Sequence, residues 1–165
     1  MSTESRTRHR WAIFLLAIFV AAAGSMSGQE KEEKVKPGNL PAAVKSAFNK
    51  AYPNAKITGA STEKENGVTY YEIESLDGKV RRDLLYTEDG SVAEIEETIS
   101  AKALPKKIHE AFGKEFPKAE ILRAEKTTRG TDVTYELRIK ETGKTREVVF
   151  DTSGVVLKKE ESDEK

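Results

Sequence analysis

The sequence predicts an α+β fold of two tandem modules, each with one helix packed on a four-stranded antiparallel meander sheet. One observation behind this prediction is an internal repeat. The segment that begins at Leu40-Pro41 recurs at Leu104-Pro105, at a constant offset of 64 residues and without a gap. The other is a change of period within each copy, from helical spacing of apolar residues to strict alternation. A repeat that occurs only twice indicates a duplicated domain rather than a solenoid.

The residues shared by the two copies are mainly those that build a core or turn a chain. They include the pairs Leu40/Leu104, Pro41/Pro105, Phe48/Phe112, Pro53/Pro117, Tyr71/Tyr135, Arg82/Arg146 and Gly90/Gly154. Modules of about 60 residues are marginal as independent folding units, and the chain has no cysteine for disulfide bonds. We therefore expect the two modules either to pack against each other or to share a sheet.

Residues 1–27 have the pattern of a secretory signal peptide. A basic stretch with three arginines precedes an uncharged apolar run from Trp11 to Ala23, and small residues follow that run. The run is shorter than the roughly 20 residues that a membrane-spanning helix needs. The pattern predicts cleavage between Ala23 and Gly28, and hence a periplasmic or secreted protein without stable membrane insertion. An uncleaved N-terminal anchor is the alternative.

The remaining boundaries follow from composition. Residues 28–39 are charged and poor in apolar side chains, which predicts a disordered linker. The repeats are predicted at residues 40–99 and 104–160, and a charged tail at 161–165. The whole chain carries 28 basic and 28 acidic residues. Because nucleic-acid binding requires a basic surface, a nucleic-acid partner is not expected.

Each module is predicted to open with a helix. Pro41 suits a first helical turn, where its missing N–H costs nothing. The apolar residues after it share one helical face: Val44, Ala47, Phe48 and Ala51. Pro53 and Pro117 are expected to end the helix in their respective copies.

Beyond each helix, apolar and polar residues alternate as in a half-buried strand. The clearest case is the run Val133, Tyr135, Leu137 and Ile139. The pairs Asn66-Gly67, Asp77-Gly78 and Asp89-Gly90 are typical of tight turns. These signals predict strands near 56–64, 68–76, 79–87 and 91–98, with the same series 64 residues later.

Several short motifs support a family resemblance. They are the Leu-Pro-x-x-Val opening, the Ala-Phe of the helix, Tyr-Pro-x-Ala-x-Ile at Tyr52 to Ile57, the Tyr-Tyr-Glu-Ile strand and Phe-Asp-x-x-Gly-Val-Val at Phe150 to Val156. Together they resemble the PepSY-like family of exported bacterial modules, which is beta-lactamase-inhibitor-like. The resemblance covers Leu40 to about Glu161. It implies a periplasmic or secreted protein with an α+β fold and without established catalytic residues.

The residues offer little material for catalysis or metal binding. His109 is the one histidine after the predicted signal peptide, and it aligns with Lys45 on the solvent side of the helix. Zinc sites use several His or Cys ligands, whereas the chain has no cysteine and, after the predicted signal peptide, one histidine. Asp89-Gly90 predicts a turn rather than a calcium loop. We predict a non-enzymatic protein that uses no cofactor and no metal.

Arg82 and Arg146 occupy equivalent positions, in phase with the apolar side of their strands. The aliphatic stem of such an arginine can pack in the core while its guanidinium reaches an edge. We predict that both form structural ion pairs with acids in the turns.

Alternation places a mixed set of side chains on the sheet face away from the helices. Tyrosine and arginine are enriched at protein interfaces, so this set is a candidate docking surface. It consists of Tyr70, Glu72, Glu74, Arg81, Asp83, Glu136, Arg138 and Glu147. The other interpretation is an ordinary solvated face with cross-strand charge pairs.

These observations predict an exported binding module that docks a protein or peptide in the bacterial envelope and inhibits or regulates it. The alternative hypothesis is a sensor of a small ligand or ion, with its site between the two modules. An export signal, a duplicated module and the lack of a catalytic set favour the first hypothesis.

Overall fold

The computed structural model describes residues 32–65 and 67–161. The predicted signal peptide, the start of the predicted linker and nearly all of the predicted tail lie outside this range. Part of the segment predicted as a disordered linker has regular structure, because Glu33–Lys34 is a short strand and Pro37–Asn39 is a 3-10 turn.

The described chain forms one nine-stranded antiparallel sheet in which the strands follow their order in the sequence. The strands are β1 (Glu33–Lys34), β2 (Lys56–Glu65), β3 (Val68–Asp77), β4 (Val80–Tyr86), β5 (Val92–Ile99), β6 (Glu120–Arg129), β7 (Asp132–Glu141), β8 (Lys144–Asp151) and β9 (Val156–Glu161). Two short helices, α1 (Ala42–Ala51) and α2 (Lys106–Glu115), precede β2 and β6.

The predicted fold class, two modules with a four-stranded sheet each, is wrong. The fold is mostly β and its strands form a single sheet, because the last strand of the first copy pairs with the first strand of the second. This junction runs from Ile95, opposite Thr128, to Ile99, opposite Ala124. Strand pairing satisfies the backbone groups that two separate sheets would leave exposed at their edges.

The strand positions predicted from alternation are confirmed. β2 to β5 begin and end within one residue of the predicted ranges, and β6 to β9 do so at the 64-residue offset. The helices also end as predicted. Tyr52 and Phe116, each followed by proline, are the C-terminal caps of α1 and α2. Local pattern therefore determines the elements, whereas the joining of the two copies is a tertiary property.

Both helices cover the same face of the sheet. α1 buries Val44 and Phe48 on Ile73, Leu84 and Tyr86. An equivalent core lies under α2, built from Leu104, Ile108, Phe116, Ala124, Leu137, Ile139, Val148 and Phe150. On β5, Ile95 packs against the first cluster and Ile99 against the second. Because these residues are four apart on one strand, they point to the same side, and the opposite face has no helix over it.

Strand β5 serves both copies of the repeat. It is the last strand of the first copy, and in the second copy it takes the place that β1 has in the first. Glu33 lies opposite Thr62 in the β1–β2 pair, and Glu97 lies opposite Lys126 in the β5–β6 pair, so the pairs match at the 64-residue offset. The structural repeat thus begins before the residues in which the sequence repeat is visible.

The β4–β5 and β8–β9 turns contact the helices through glycine. Gly90 has a φ of 84° and Gly154 a φ of 89°. A Cβ atom on Gly90 would lie 2.7 Å from the carbonyl oxygen of Ala43, and one on Gly154 would lie 2.8 Å from that of Lys107. Both turns therefore approach the first turn of a helix too closely for a side chain, as the shared glycines suggest.

Tyr86 is fully buried in the first core, and its hydroxyl makes no hydrogen bond within the part of the chain that the structure describes. Burial raises the pKa of Tyr86 to about 12. The equivalent residue in the second core is Phe150, which is also fully buried. The first copy therefore carries a polar atom that the second does without.

We expect Tyr86→Phe to raise the free energy of unfolding by about 1 kcal/mol, because an unsatisfied buried hydroxyl is costly. Chemical denaturation measures the change. The reciprocal variant Phe150→Tyr should lose a comparable amount. A loss of stability in Tyr86→Phe would contradict this prediction and would mean that the hydroxyl has a partner.

Candidate protein-binding face

The open face is defined here as the side chains of β2 to β9 that point away from α1 and α2. All eight residues predicted for docking lie on it, because each alternates with a core residue of its strand. They form two groups. The first group lies on β3 and β4 and the second on β7 and β8: Tyr70, Glu72, Glu74, Arg81 and Asp83 in the first, and Glu136, Arg138 and Glu147 in the second. Glu74 lies directly opposite Asp83, and Arg138 directly opposite Glu147. β5 and β6 separate the two groups.

The centre of the open face consists of residues that the sequence interpretation missed. Glu94 and Glu96 come from β5, and Arg123 and Glu125 come from β6. Alternation around the inward Ile95 would have placed both β5 acids on this face. Their connection to the second group required the β5–β6 pairing, which no local pattern shows.

Three carboxylates lie side by side on consecutive strands. Glu74 of β3 faces Asp83 of β4, and Asp83 faces Glu96 of β5. The Glu74 carboxylate covers Gly59, where a Cβ atom would come within 2.7 Å of it. Like charges directly opposite one another destabilise a sheet, so this row has a cost to folding.

Partial burial and neighbouring acids favour the protonated forms of several of these groups. Burial, with the nearby Glu125 and Glu136, raises the pKa of Glu96 to about 9. Burial, with Glu74, raises the pKa of Asp83 to about 6. At neutral pH the centre of the open face therefore holds protons that an ordinary surface would release.

Burial also raises the pKa values of Glu72 and Glu136, which occupy equivalent positions in the two copies. Burial raises the pKa of Glu72 to about 7, although the Ser61 hydroxyl donates a hydrogen bond of 2.5 Å to its carboxylate. Burial, with Glu147 nearby, raises the pKa of Glu136 to about 7. Both residues are only partly exposed.

Arginines neutralise part of the acidic centre. Arg129 Nε donates to Glu94 Oε2 at 2.7 Å, and Arg123 Nε lies 3.1 Å from Glu125 Oε2. Leu85, which lies between Glu72 and Glu94 in the cross-strand row, is buried although no helix covers it. The long side chains around it thus form a partly closed layer on this face.

The predicted ion pairs of Arg82 and Arg146 are confirmed on the helix-covered face. Arg82 lies 3.9 Å from Asp77, the last residue of β3 before the turn, and 3.3 Å from Glu97. Arg146, its counterpart in the second copy, lies 3.2 Å from Glu141 and 3.7 Å from Glu161. All three positions match at the 64-residue offset, so a charged triad has been duplicated together with the core.

Other potential sites are sparse. His109 is exposed on α2, and no group of three or more His, Cys, Asp and Glu residues able to hold a metal occurs in residues 32–65 and 67–161. An open depression is lined by Gly67, Val68, Thr69, Thr87, Glu88 and Asp89. No helix within those described ranges is long and apolar enough to cross a membrane. The two copies join through the β5–β6 ladder, and the alternative hypothesis of a ligand site between them stays a prediction.

The chain matches the model of a family described as "Putative beta-lactamase-inhibitor-like, PepSY-like", once over residues 26–94 and once over residues 69–158. Together these matches span most of the sequence and follow the duplication. A search among curated proteins finds no match.

Solved structures with a similar fold come from Bacteroides species. One from Bacteroides eggerthii, described as "putative periplasmic proteins", has a TM-score of 0.61 at 17% identity, covering 75% of this chain and 90% of its own. A DUF2874 family protein from Bacteroides uniformis has a TM-score of 0.59 at 14% identity, covering 73% and 88%. A BLIP-like protein from Bacteroides fragilis has a TM-score of 0.55 at 17% identity, covering 73% and 86%. At these identities the likeness shows a shared fold.

Proposed function

Since the chain belongs to the PepSY-like, beta-lactamase-inhibitor-like family, we propose that it is an exported, non-enzymatic binding domain whose open face docks a protein or peptide of the bacterial envelope and inhibits or regulates it. Two observations support export: the signal-peptide pattern of residues 1–27 and the periplasmic description of a structural neighbour.

The observation that carries the proposal is the chemistry of the open face. Acids outnumber basic residues on it. The acids include Glu72, Glu74, Asp83, Glu94, Glu96, Glu125, Glu136, Glu147 and Glu160, and the basic residues include Arg81, Arg123, Arg129, Arg138 and Lys158. A face that only met water would gain stability from fewer opposed acids, because Glu74 lies directly opposite Asp83 and like charges in that position repel.

The charge of the face defines the partner that fits it. A partner surface with lysine or arginine side chains would lie over the central carboxylates and relieve their repulsion. Tyr70, which is partly exposed, adds aromatic contact area within the same face, and tyrosine is enriched at the energetic centres of interfaces. We therefore propose a partner with a basic patch.

The test uses substitutions that remove charge without removing shape. In the double variant Asp83→Asn and Glu136→Gln, we expect loss of binding to the envelope protein that the wild-type chain retains. We also expect a raised melting temperature, because two partly buried carboxylates no longer repel their neighbours. Weaker binding by a more stable protein cannot result from unfolding. The measurements are affinity capture from envelope extracts followed by calorimetry with the captured protein.

Glu110→Gln on α2 provides the matched control, because its side chain is exposed on the helix-covered side. This variant should bind as the wild type does. Equal binding by the open-face variant would contradict the proposal, as would equal loss in the control. A captured partner whose affinity did not fall with rising salt would contradict the basic patch.

A further inference from the structure

The two outer edges of the sheet are related to each other by the internal repeat. β9 is the equivalent of β5 at the 64-residue offset, and β2 is the equivalent of β6. Inside the chain, β5 and β6 form an antiparallel ladder. The outer edge of β9 and the outer edge of β2 are therefore the two halves of that junction, presented at opposite ends of one molecule.

Such a pair of edges would allow a second copy of the chain to join head to tail. A heterologous contact of this kind repeats from copy to copy, forming a ring or an open filament. The register follows from the β5–β6 ladder, in which Glu97 lies opposite Lys126. By the same register Glu161 of one copy would face Thr62 of the next.

The neighbouring positions in this register bring like charges together. Glu160 would face Glu63, and Lys159 would face Lys64. At the internal junction the residues equivalent to these two pairs are Glu96 with Thr127 and Ile95 with Thr128. Those pairs carry no opposed charges. Like charges directly opposite on adjacent strands are destabilising, and charged edge strands are a known barrier to edge-to-edge pairing.

β1 adds a second barrier at the β2 edge. Glu33 and Lys34 pair with Thr62 and Ser61, and the Val35 N–H donates to the Ala60 carbonyl oxygen at 3.0 Å. The chain's own short strand thus takes the backbone groups that an incoming β9 would need.

We propose that the outer edges of β2 and β9 form a latent interface between copies of this chain, and that like charges together with β1 keep this interface closed. The occupant of each edge is the opposite edge of a second copy. This inference does not depend on the open face or on its partner.

The experiment removes both barriers, the like charges and the pairing of β1, in the full chain. Glu63→Lys with Lys64→Glu exchanges two neighbouring residues, so composition and net charge are unchanged while both opposed pairs become attractive. This exchange is made on β2 because Lys159 on β9 already forms an ion pair with Glu115. Val35→Pro removes the N–H that ties β1 to Ala60, and Val35→Ala, which keeps that N–H, controls for the lost side chain. Melting temperatures establish that each variant is folded.

Cysteines report the register, since the chain has none of its own. With Thr62→Cys and Glu161→Cys in every background, oxidation should link the combined variant into a ladder of multimers on a denaturing gel. The wild type, the charge exchange alone, Val35→Pro alone and the exchange with Val35→Ala should each remain unlinked. Moving the second cysteine to position 160, on the other face of β9, should abolish the ladder.

A combined variant that is folded and remains unlinked would overturn the proposal. So would a ladder from the wild-type background, or one that persists with the cysteine at position 160. A ladder from either single change would show that one barrier does not act, and would overturn the statement that both are needed. If Val35→Pro lowers the melting temperature strongly, Glu33→Pro interrupts the same strand at an exposed position.

Discussion

Gly90→Ala is expected to lower the free energy of unfolding by roughly 3 kcal/mol, from the sum of backbone strain and overpacking. Gly90 has a φ of 84°, a conformation that costs an alanine about 1–2 kcal/mol. The new methyl group would also lie 2.7 Å from the Ala43 carbonyl oxygen, so the β4–β5 turn or α1 would have to move. Urea denaturation of the variant measures the loss.

Gly67→Ala separates the two causes. Gly67 has a φ of 82°, nearly the same as that of Gly90, but a Cβ atom there would meet nothing within 4 Å. It should therefore show the conformational cost alone. The second copy offers a replicate, since Gly154 contacts the Lys107 carbonyl while Gly143, with a φ of 84°, is open. Equal losses at Gly90 and Gly67 would mean that contact between the turn and the helix contributes nothing.

Stability should fall as the pH rises from about 5 to about 8, by at least about 3 kcal/mol after allowance for solvent screening. The pKa values of Glu72, Asp83 and Glu136 are raised to about 7, 6 and 7 in the folded chain. Between the unfolded and folded pKa values of each group, the folded chain binds more protons than the unfolded chain. The free energy of unfolding therefore decreases with pH over that interval. Glu96, whose pKa is raised to about 9, extends the decline into alkaline conditions.

The opposite sign applies to the turn aspartates. Hydrogen bonds from Thr87 and Ser91 lower the pKa of Asp89, and those from Ser153 and Val155 lower the pKa of Asp151. Their contribution is present above the unfolded pKa and is lost on further acidification. Maximum stability is therefore expected near pH 5, at the acidic end of the range in which most proteins are most stable.

Melting temperatures measured across this pH range test the prediction. Glu96→Gln should flatten the decline above neutral pH, whereas Glu110→Gln, on the exposed surface of α2, should leave the curve unchanged. Stability that is constant or that rises between pH 5 and pH 8 would show that the open-face carboxylates are not protonated in the folded chain.

The sequence was sufficient to locate every strand from β2 to β9, because side-chain alternation and turn glycines are local signals. It was not sufficient to join the copies. The last strand of the first repeat was predicted to end near residue 98, at the boundary of that repeat, and the structure places Thr98 and Ile99 in the β5–β6 ladder. Pairing between strands on either side of a helix depends on contacts that no local period records.

The candidate site was predictable to the same extent. Alternation placed Glu72, Asp83 and Arg138 on the open face. It could not show that Glu96 and Glu125 lie between the two predicted groups, because that requires knowing which strands are neighbours. The raised pKa values follow from this proximity and from partial burial, and neither can be obtained from residue types alone.

The strand that both copies share has an evolutionary consequence. A tandem duplication is usually reversible, because deletion of one copy restores the ancestral domain. Here deletion of the second copy would uncover the edge of β5 that β6 now occupies, and deletion of the first would leave β6 without the strand that covers it. Once β5 had come to belong to both halves, loss of the second half would make β5 an edge strand, and β5 has Ile95 where the present edge strand β9 has Lys159. Because charged residues protect edge strands from edge-to-edge pairing, selection against aggregation would preserve the pair even if only one half were needed for binding.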